Sequence, residues 1–208
     1  MKKYLVLLAT LLQVAVWAAP ITPDQALQKL MEGNKRFSSD KSLHPDRVSE
    51  RRQETAAKQQ PFAVIVGCSD SRVAPEIIFD QGIGDLFIVR VAGNVVGPLE
   101  LDSIEYAALY CDSVLVLVMG HENCGAVSAV IEGKTQDIEA VASLIQPAVK
   151  ATEKQKGNRV DNTIKMNAKM VADQLRKSPV LNNLMGKKTL NVVSGYYNFH
   201  TGQVEILK

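Results

Sequence analysis

Cysteine is scarce in this sequence: only Cys68, Cys111 and Cys124 occur among 208 residues. An odd number of cysteines makes a poor disulfide framework, so at least one of them has another task. Aromatic residues are also few, at 5% of the chain, and there is no internal repeat or low-complexity tract. With 46% hydrophobic and 22% charged residues, the composition is that of an ordinary globular protein, and the length favours one domain with a substantial core.

The sequence carries no excess charge outside its first residues. An apolar segment, residues 4–17, follows two lysines and precedes two alanines. This pattern predicts a secretory signal peptide, since the apolar part is short for a membrane span; an uncleaved membrane anchor is the alternative. We expect cleavage after Ala18, which leaves residues 19–208 as a single periplasmic or secreted domain. Because residues 1–18 contain both of the excess lysines and no acid, the formal charge of +2 falls to zero. A neutral domain gives no indication of nucleic-acid binding or of stable membrane insertion after cleavage.

Three short apolar runs rich in β-branched residues predict buried parallel strands: FAVIV (62–66), LFIVRV (86–91) and VLVLVM (114–119). The segment between the last two runs, residues 98–110, has apolar residues at helical spacing. This alternation of strand and helix predicts an α/β fold with a mostly parallel central sheet flanked by helices.

The rest of the chain is predicted to be mainly helical. Thr22 followed by Pro23 is typical of a helix start, which predicts an N-terminal helical arm. Further predicted elements are helices near 47–58, 137–154 and 159–177, and a hairpin-like end in which residues 189–197 turn into 203–207.

Two motifs begin with glycine directly after predicted strands: GCSDSR (67–72) after the first and GHENCG (120–125) after the third. Residues just past the carboxyl ends of parallel strands converge on one crevice, so Cys68, His121 and Cys124 can meet. Two thiolates and one imidazole are ligands that zinc prefers. Three protein ligands leave the fourth tetrahedral position open, which is typical of a catalytic zinc site.

Three other interpretations of these cysteines remain. In the first, the cysteines are small buried hydrophobic residues. In the second, Cys68 and Cys124 form a disulfide in an exported protein. Neither explains why Asp70 and Arg72 stand beside Cys68. A phosphatase-like nucleophilic cysteine is disfavoured because the carboxylate of Asp70 would repel a phosphate oxyanion.

CSDSRV (68–73) followed by GHENCG resembles the β-class carbonic anhydrases, and the similarity extends from the helical arm to the terminal YYNFHTGQVEIL. The resemblance implies that Cys68, His121 and Cys124 bind one zinc ion per subunit, and that the activity is the reversible hydration of carbon dioxide to bicarbonate and a proton.

The resemblance also implies that Asp70 and Arg72 form the catalytic dyad. Asp70 is expected to accept a proton from water in a hydrogen bond and so to orient it. A bidentate bond from Arg72 would keep Asp70 ionised and away from the fourth zinc position.

Members of the open-site subclass surround the substrate with a glutamine, a phenylalanine and a tyrosine, to which Gln59, Phe87 and Tyr106 correspond. The other subclass has a tryptophan three residues before the first cysteine, where this chain has Ile65. In the family the pocket is completed across a dimer interface, which implies a homodimer or a larger homo-oligomer. One departure is RVAGN (90–94), which stands in place of the frequent Arg-Asn-Val-Ala-Asn.

Two alternative functions remain open. Relatives of this fold hydrolyse carbonyl sulfide or carbon disulfide with the same metal ligands. The chain could instead be a non-catalytic zinc- or bicarbonate-binding module, although a structural site would gain nothing from Asp70 and Arg72. Arg90 lies within an apolar strand and needs a partner if it is buried. Cys111 is expected to be a buried, inert thiol.

Overall fold

The computed structural model describes residues 20–208, and the predicted signal peptide, residues 1–18, lies outside the described residues. The helices are α1 (Pro23–Ser38), α2 (Ser49–Thr55), α3 (Pro75–Ile78), α4 (Pro98–Tyr110), α5 (Gly125–Ile131), α6 (Glu139–Thr152), α7 (Arg159–Arg176) and α8 (Pro179–Gly186). The strands are β1 (Ala63–Gly67), β2 (Leu86–Arg90), β3 (Leu115–His121), β4 (Asn191–Tyr197) and β5 (Val204–Leu207). Among the described residues, no helix is long and apolar enough to cross a membrane.

The sheet has the strand order β2-β1-β3-β4-β5, in which the first four strands are parallel and β5 is antiparallel to β4. This confirms the predicted α/β class. All five residues of β1 and all seven of β3 are buried, which explains why both appear in the sequence as continuous apolar runs.

Helices cover both faces of the sheet. Val64 and Val116 point to one face, where they pack in a cluster with Ile104 of α4, Ala168 of α7 and Leu181 of α8. The opposite face carries a second cluster, which includes Ile65 and Leu117 from the strands, Leu30 from α1 and Ile78 from α3. The alternation along each strand therefore divides the core between two helical layers.

The N-terminal arm begins as the sequence predicts. The Thr22 hydroxyl accepts the N–H of Gln25, and the Gln25 side chain accepts the N–H of Thr22, so a capping box closes the first turn of α1. The short helices α3, α5 and α8 were not predicted, because four to eight residues contain too few turns to show a helical period.

Candidate metal centre

The ends of β1 and β3 bring the predicted ligands together. Gly67 is paired with Met119, so Cys68 and His121 emerge from neighbouring strands at the same edge of the sheet. Cys124 is the N-cap residue of α5, which begins immediately after the second motif. The ligand atoms of Cys68, His121 and Cys124 all lie within 4.8 Å of one another, and all three residues are buried. The three cysteines of the chain are free thiols, so the structure contains no disulfide between Cys68 and Cys124.

The His121 ring is oriented for metal binding. Its Nδ1 lies 2.9 Å from the backbone oxygen of Glu122, so Nδ1 carries the proton and Nε2 keeps its lone pair. Nε2 is fully buried and has no hydrogen-bond partner among the described residues. A buried nitrogen without a partner is costly, and a metal ion satisfies it. Two sulfurs and this nitrogen therefore fit zinc.

The two sulfurs of the centre differ in their affinity for a proton. Interaction with the neighbouring Cys124 thiol, with smaller contributions from His121 and the Gly93 N–H, lowers the pKa of Cys68 to about 4 despite its burial. The same interaction, together with burial, raises the pKa of Cys124 above its ordinary value. The two thiols therefore titrate as a coupled pair, in which ionisation of one raises the pKa of the other.

Asp70 and Arg72 form a bidentate pair beside the ligands. Arg72 Nε lies 2.9 Å from Asp70 Oδ1 and Arg72 Nη2 lies 2.7 Å from Oδ2, while the backbone N–H of Arg72 also donates to Oδ1 at 2.9 Å. These bonds from Arg72 hold the pKa of Asp70 well below its usual range. Asp70 Oδ2 is 3.9 Å from His121 Nε2, so the ionised carboxylate borders the metal-ligand group.

Arg90 is a residue of the site that the sequence analysis left without a role. It is exposed at the end of β2, and it donates to the backbone oxygens of Cys68 at 2.8 Å and Asp70 at 2.6 Å. Arg90 thus fixes the loop that carries both a ligand and the dyad carboxylate. The sequence did contain a signal for this role: Arg90 stands near the carboxyl end of a predicted strand, where the site residues of a parallel sheet lie.

Phe199 was also missed. It lies in the turn between β4 and β5, and its ring centroid is 4.2 Å from Cζ of Arg72, within range of a cation–π contact. The same ring lies 5.4 Å from the ring of His121. Phe199 therefore packs against one dyad residue and one ligand, which no spacing in the sequence indicates because the contact spans more than seventy residues.

Within one chain, the three predicted pocket residues lie away from the metal ligands. Gln59 is exposed and precedes β1, so it lies at the opposite end of that strand from Cys68. Phe87 is paired with Val64, three residues before the end of β1, which corresponds to about 10 Å along the strand. Tyr106 of α4 packs beside Phe87 with ring centroids 6.4 Å apart. One chain therefore brings Phe87 and Tyr106 together but keeps them apart from its own metal ligands.

A buried cysteine–histidine–cysteine group at the carboxyl ends of two parallel strands, bordered by a carboxylate that an arginine holds, defines a mononuclear zinc enzyme. Comparisons with known proteins agree with this class and narrow it. Residues 63–204 match the family model described as carbonic anhydrase. A carbonic anhydrase of Mycolicibacterium smegmatis is 36% identical over 191 residues, which cover 88% of this chain and 93% of the relative.

Further relatives place the chain in the same family. Carbonic anhydrase 2 of Mycobacterium tuberculosis is 36% identical over 188 residues, covering 87% of this chain and 91% of the relative. The solved structure of a β-carbonic anhydrase from Aspergillus fumigatus superposes with a TM-score of 0.71 at 27% identity, covering 89% of this chain and 90% of the other. The chain belongs to the carbonic anhydrase family, in its β class. It is a zinc-dependent lyase that hydrates carbon dioxide.

Proposed function

We propose that this chain is an open-site β-carbonic anhydrase, in which Cys68, His121 and Cys124 hold the zinc ion and Asp70 and Arg72 act as the catalytic dyad. The observation that carries the proposal is the bidentate Arg72–Asp70 pair beside the buried ligand group. A carboxylate held in this way is unavailable as a fourth protein ligand, so the fourth position is left to water and substrate.

The division of labour follows from the charges. Zinc in this site supplies a nucleophile near neutral pH because it lowers the pKa of water. Asp70 remains ionised through its bonds to Arg72, so its Oδ2 accepts a hydrogen bond from the reacting water and orients the oxygen lone pair towards carbon dioxide. Arg72 keeps that carboxylate in place, and its guanidinium lies over the Phe199 ring.

We further propose that the active enzyme is a homodimer or a larger homo-oligomer in which a second copy supplies Gln59, Phe87 and Tyr106 to the substrate pocket. Support comes from their distance from the metal ligands of their own chain. A second support is an exposed apolar surface on one side of α4, formed by Leu99, Tyr106 and Tyr110, which are 77%, 49% and 69% exposed.

The neighbouring strand β2 forms an edge of the sheet. An apolar helix face beside an unpaired edge is typical of a surface that is covered in the assembled protein. Two carbonic anhydrases of Sordaria macrospora that share the fold, with a TM-score of 0.62 at 20% identity, are described as tetrameric. Both observations support assembly of this chain.

For the location, we propose a periplasmic or secreted protein from which residues 1–18 are removed. The proposal rests on the charge and hydropathy pattern of those residues. The test is N-terminal sequencing of the protein recovered from the periplasm or medium of cells that express the full chain. A chain that begins at Ala19 is expected, and a chain that retains Met1 in the cytoplasm would exclude export.

Stopped-flow measurement of carbon dioxide hydration, combined with metal analysis of the same sample, tests the enzymatic proposal. We expect one zinc ion per chain and rapid hydration. Stoichiometric zinc without hydration would leave a binding module as the better description. The alternative of a carbonyl sulfide or carbon disulfide hydrolase is not favoured, because the relatives reported above are carbonic anhydrases by name. Assays with carbonyl sulfide and carbon disulfide on the same sample distinguish this alternative from a carbonic anhydrase.

A further inference from the structure

The short helical turn Ala92–Asn94, between β2 and α4, reaches into the metal centre. The backbone N–H of Gly93 donates to Cys68 Sγ at 3.3 Å. Gly93 has a φ of 71°, and a Cβ on this residue would lie 2.7 Å from Cδ1 of Ile145. The left-handed conformation favours glycine here, and a Cβ would in addition require the δ-methyl of Ile145 to move. The RVAGN turn thus places a backbone N–H donor against the sulfur of Cys68.

The conformation of Gly93 is held from a distant helix. Asn167 of α7 is 1% exposed, and its Nδ2 donates to the backbone oxygen of Gly93 at 2.8 Å. A buried backbone oxygen that lost this donor would have to find another, and the turn would have to move to provide one. The amide of Asn167 thus anchors the C=O of the same residue whose N–H faces Cys68 Sγ, and so restrains that residue.

We propose that Asn167 is a positioning residue of the zinc site, which acts through Gly93 on the sulfur of Cys68. The inference rests on the proposed zinc site. A hydrogen bond to a ligating thiolate stabilises its negative charge and fixes the direction of its lone pairs, and such outer contacts tune metal affinity and the electron donation of the ligand. Among the described residues, the Asn167 side chain donates to Gly93 and makes no hydrogen bond to a metal ligand or to the dyad.

The test uses Asn167→Leu, which removes the donor while keeping the branching of the side chain. We expect zinc affinity, measured by competition with a chromogenic chelator, to fall by about 10- to 100-fold, the range seen for lost outer contacts. In the cobalt-loaded protein, the near-ultraviolet sulfur-to-metal charge-transfer band is expected to move to longer wavelength, because the sulfur loses a hydrogen bond. A merely structural role for Asn167 would not move that band.

Gln174→Leu is the matched control. Gln174 lies on the same helix, and its Nε2 donates to the backbone oxygen of Val96 at 3.1 Å, in the same connection but three residues after the one that faces Cys68. We expect zinc affinity and the cobalt spectrum of this variant to match the wild type. Equal changes in both variants, or a folded Asn167→Leu protein with wild-type affinity and spectrum, would overturn the inference.

A measurement on the wild type keeps the inference testable if Asn167→Leu does not fold. After replacement of zinc by NMR-active cadmium, scalar coupling between the metal and the Gly93 amide proton reports the hydrogen bond to sulfur. Slow solvent exchange of the Asn167 side-chain amide protons reports the bond to Gly93. Both signals are expected, and the absence of either refutes the proposed relay. A wild-type protein that binds no zinc would refute the proposed function instead.

Discussion

Arg72 binds both carboxylate oxygens of Asp70, with its Nε at 2.9 Å from Oδ1 and its Nη2 at 2.7 Å from Oδ2. The pair lies at the surface of the site, since the Arg72 side chain is 55% exposed and that of Asp70 17%. An ion pair this exposed contributes little to stability, because solvent screens it. Its geometry is therefore better explained by function.

Replacement of Asp70 by asparagine should separate proton handling from metal binding. The Asp70→Asn substitution keeps the shape of the side chain but removes the negative charge of the acceptor. We therefore expect the rate of hydration to fall by about 100-fold or more, with zinc content unchanged. Stopped-flow kinetics and metal analysis check this. Near-full turnover with zinc still bound would refute the role of Asp70 as the group that accepts a hydrogen bond from the reacting water.

Replacement of Arg72 by leucine should release Asp70. Because Asp70 Oδ2 is already 3.9 Å from His121 Nε2, the freed carboxylate is expected to move onto the metal and block the fourth position. Hydration should be lost, and the visible spectrum of the cobalt-loaded variant should change to that of a site with four protein ligands. Arg72→Lys keeps the charge but lacks the bidentate fork, so its hydration activity should lie between that of Arg72→Leu and that of the wild type. Unchanged activity in Arg72→Leu would contradict the prediction.

The chain contains its own control for zinc binding by cysteine. Cys124→Ala removes a ligand, and we expect zinc content to fall far below one ion per chain, with loss of hydration. Cys111 is equally buried, at 1% exposure, but lies outside the ligand group, so Cys111→Ala should retain both zinc and activity. Metal analysis of the two purified variants checks the difference. Loss of zinc from both would indicate general destabilisation rather than loss of a ligand.

The apolar face of α4 predicts how assembly and activity are linked. Tyr110→Glu places a charge on that face, and we expect it to shift the protein towards monomers, because an unpaired charge at a buried interface is costly. Hydration should fall with assembly, while zinc remains bound. Leu144 of α6 is also exposed, at 41%, and Leu144→Glu is the control expected to change neither property. Light scattering and kinetics on both variants check this, and a fully active Tyr110→Glu monomer would exclude a shared pocket.

Asp80 gives a prediction on acid stability. Its side chain is fully buried, is 2.6 Å from Arg36 Nε, and accepts the N–H groups of Leu43 and His44 at 2.9 Å each. Burial raises the pKa of Asp80, but these donors outweigh it and the pKa is lowered. The resulting stability is present above the unfolded pKa of about 3.9 and is lost as pH falls through the folded pKa.

We expect Asp80→Asn to lower the free energy of unfolding by about 1.5–3 kcal/mol near neutral pH, with a smaller difference from the wild type in acid. Denaturant unfolding as a function of pH measures this. Asp112→Asn is the matched control, since both aspartates have a positive φ that asparagine tolerates, while Asp112 is paired only at the surface with Lys58. A pH-independent loss in Asp80→Asn would rule out the lowered pKa as its cause.

The class of fold and the ligand set can be inferred from local features of the sequence. Continuous apolar runs become β1 and β3 because both strands are buried on both faces, and the stripe along α7 has the period of a helix packed on one side. Because parallel strands end at a common edge, the sequence already indicated that Cys68, His121 and Cys124 lie close together. These inferences depend only on short-range patterns and on one general property of parallel sheets.

The residues that surround the ligands, in contrast, are brought there by the tertiary fold. The donation from Asn167 to Gly93 spans 74 residues, and the contact of Phe199 with Arg72 depends on where the β4–β5 turn folds back. The bonds from Arg90 to the Cys68 and Asp70 backbone require two strands in a particular register. Local composition and periodicity do not encode such contacts, because they arise from the packing of segments far apart in the chain. The metal ligands are therefore visible in the sequence, whereas the residues that orient them emerge only from the fold.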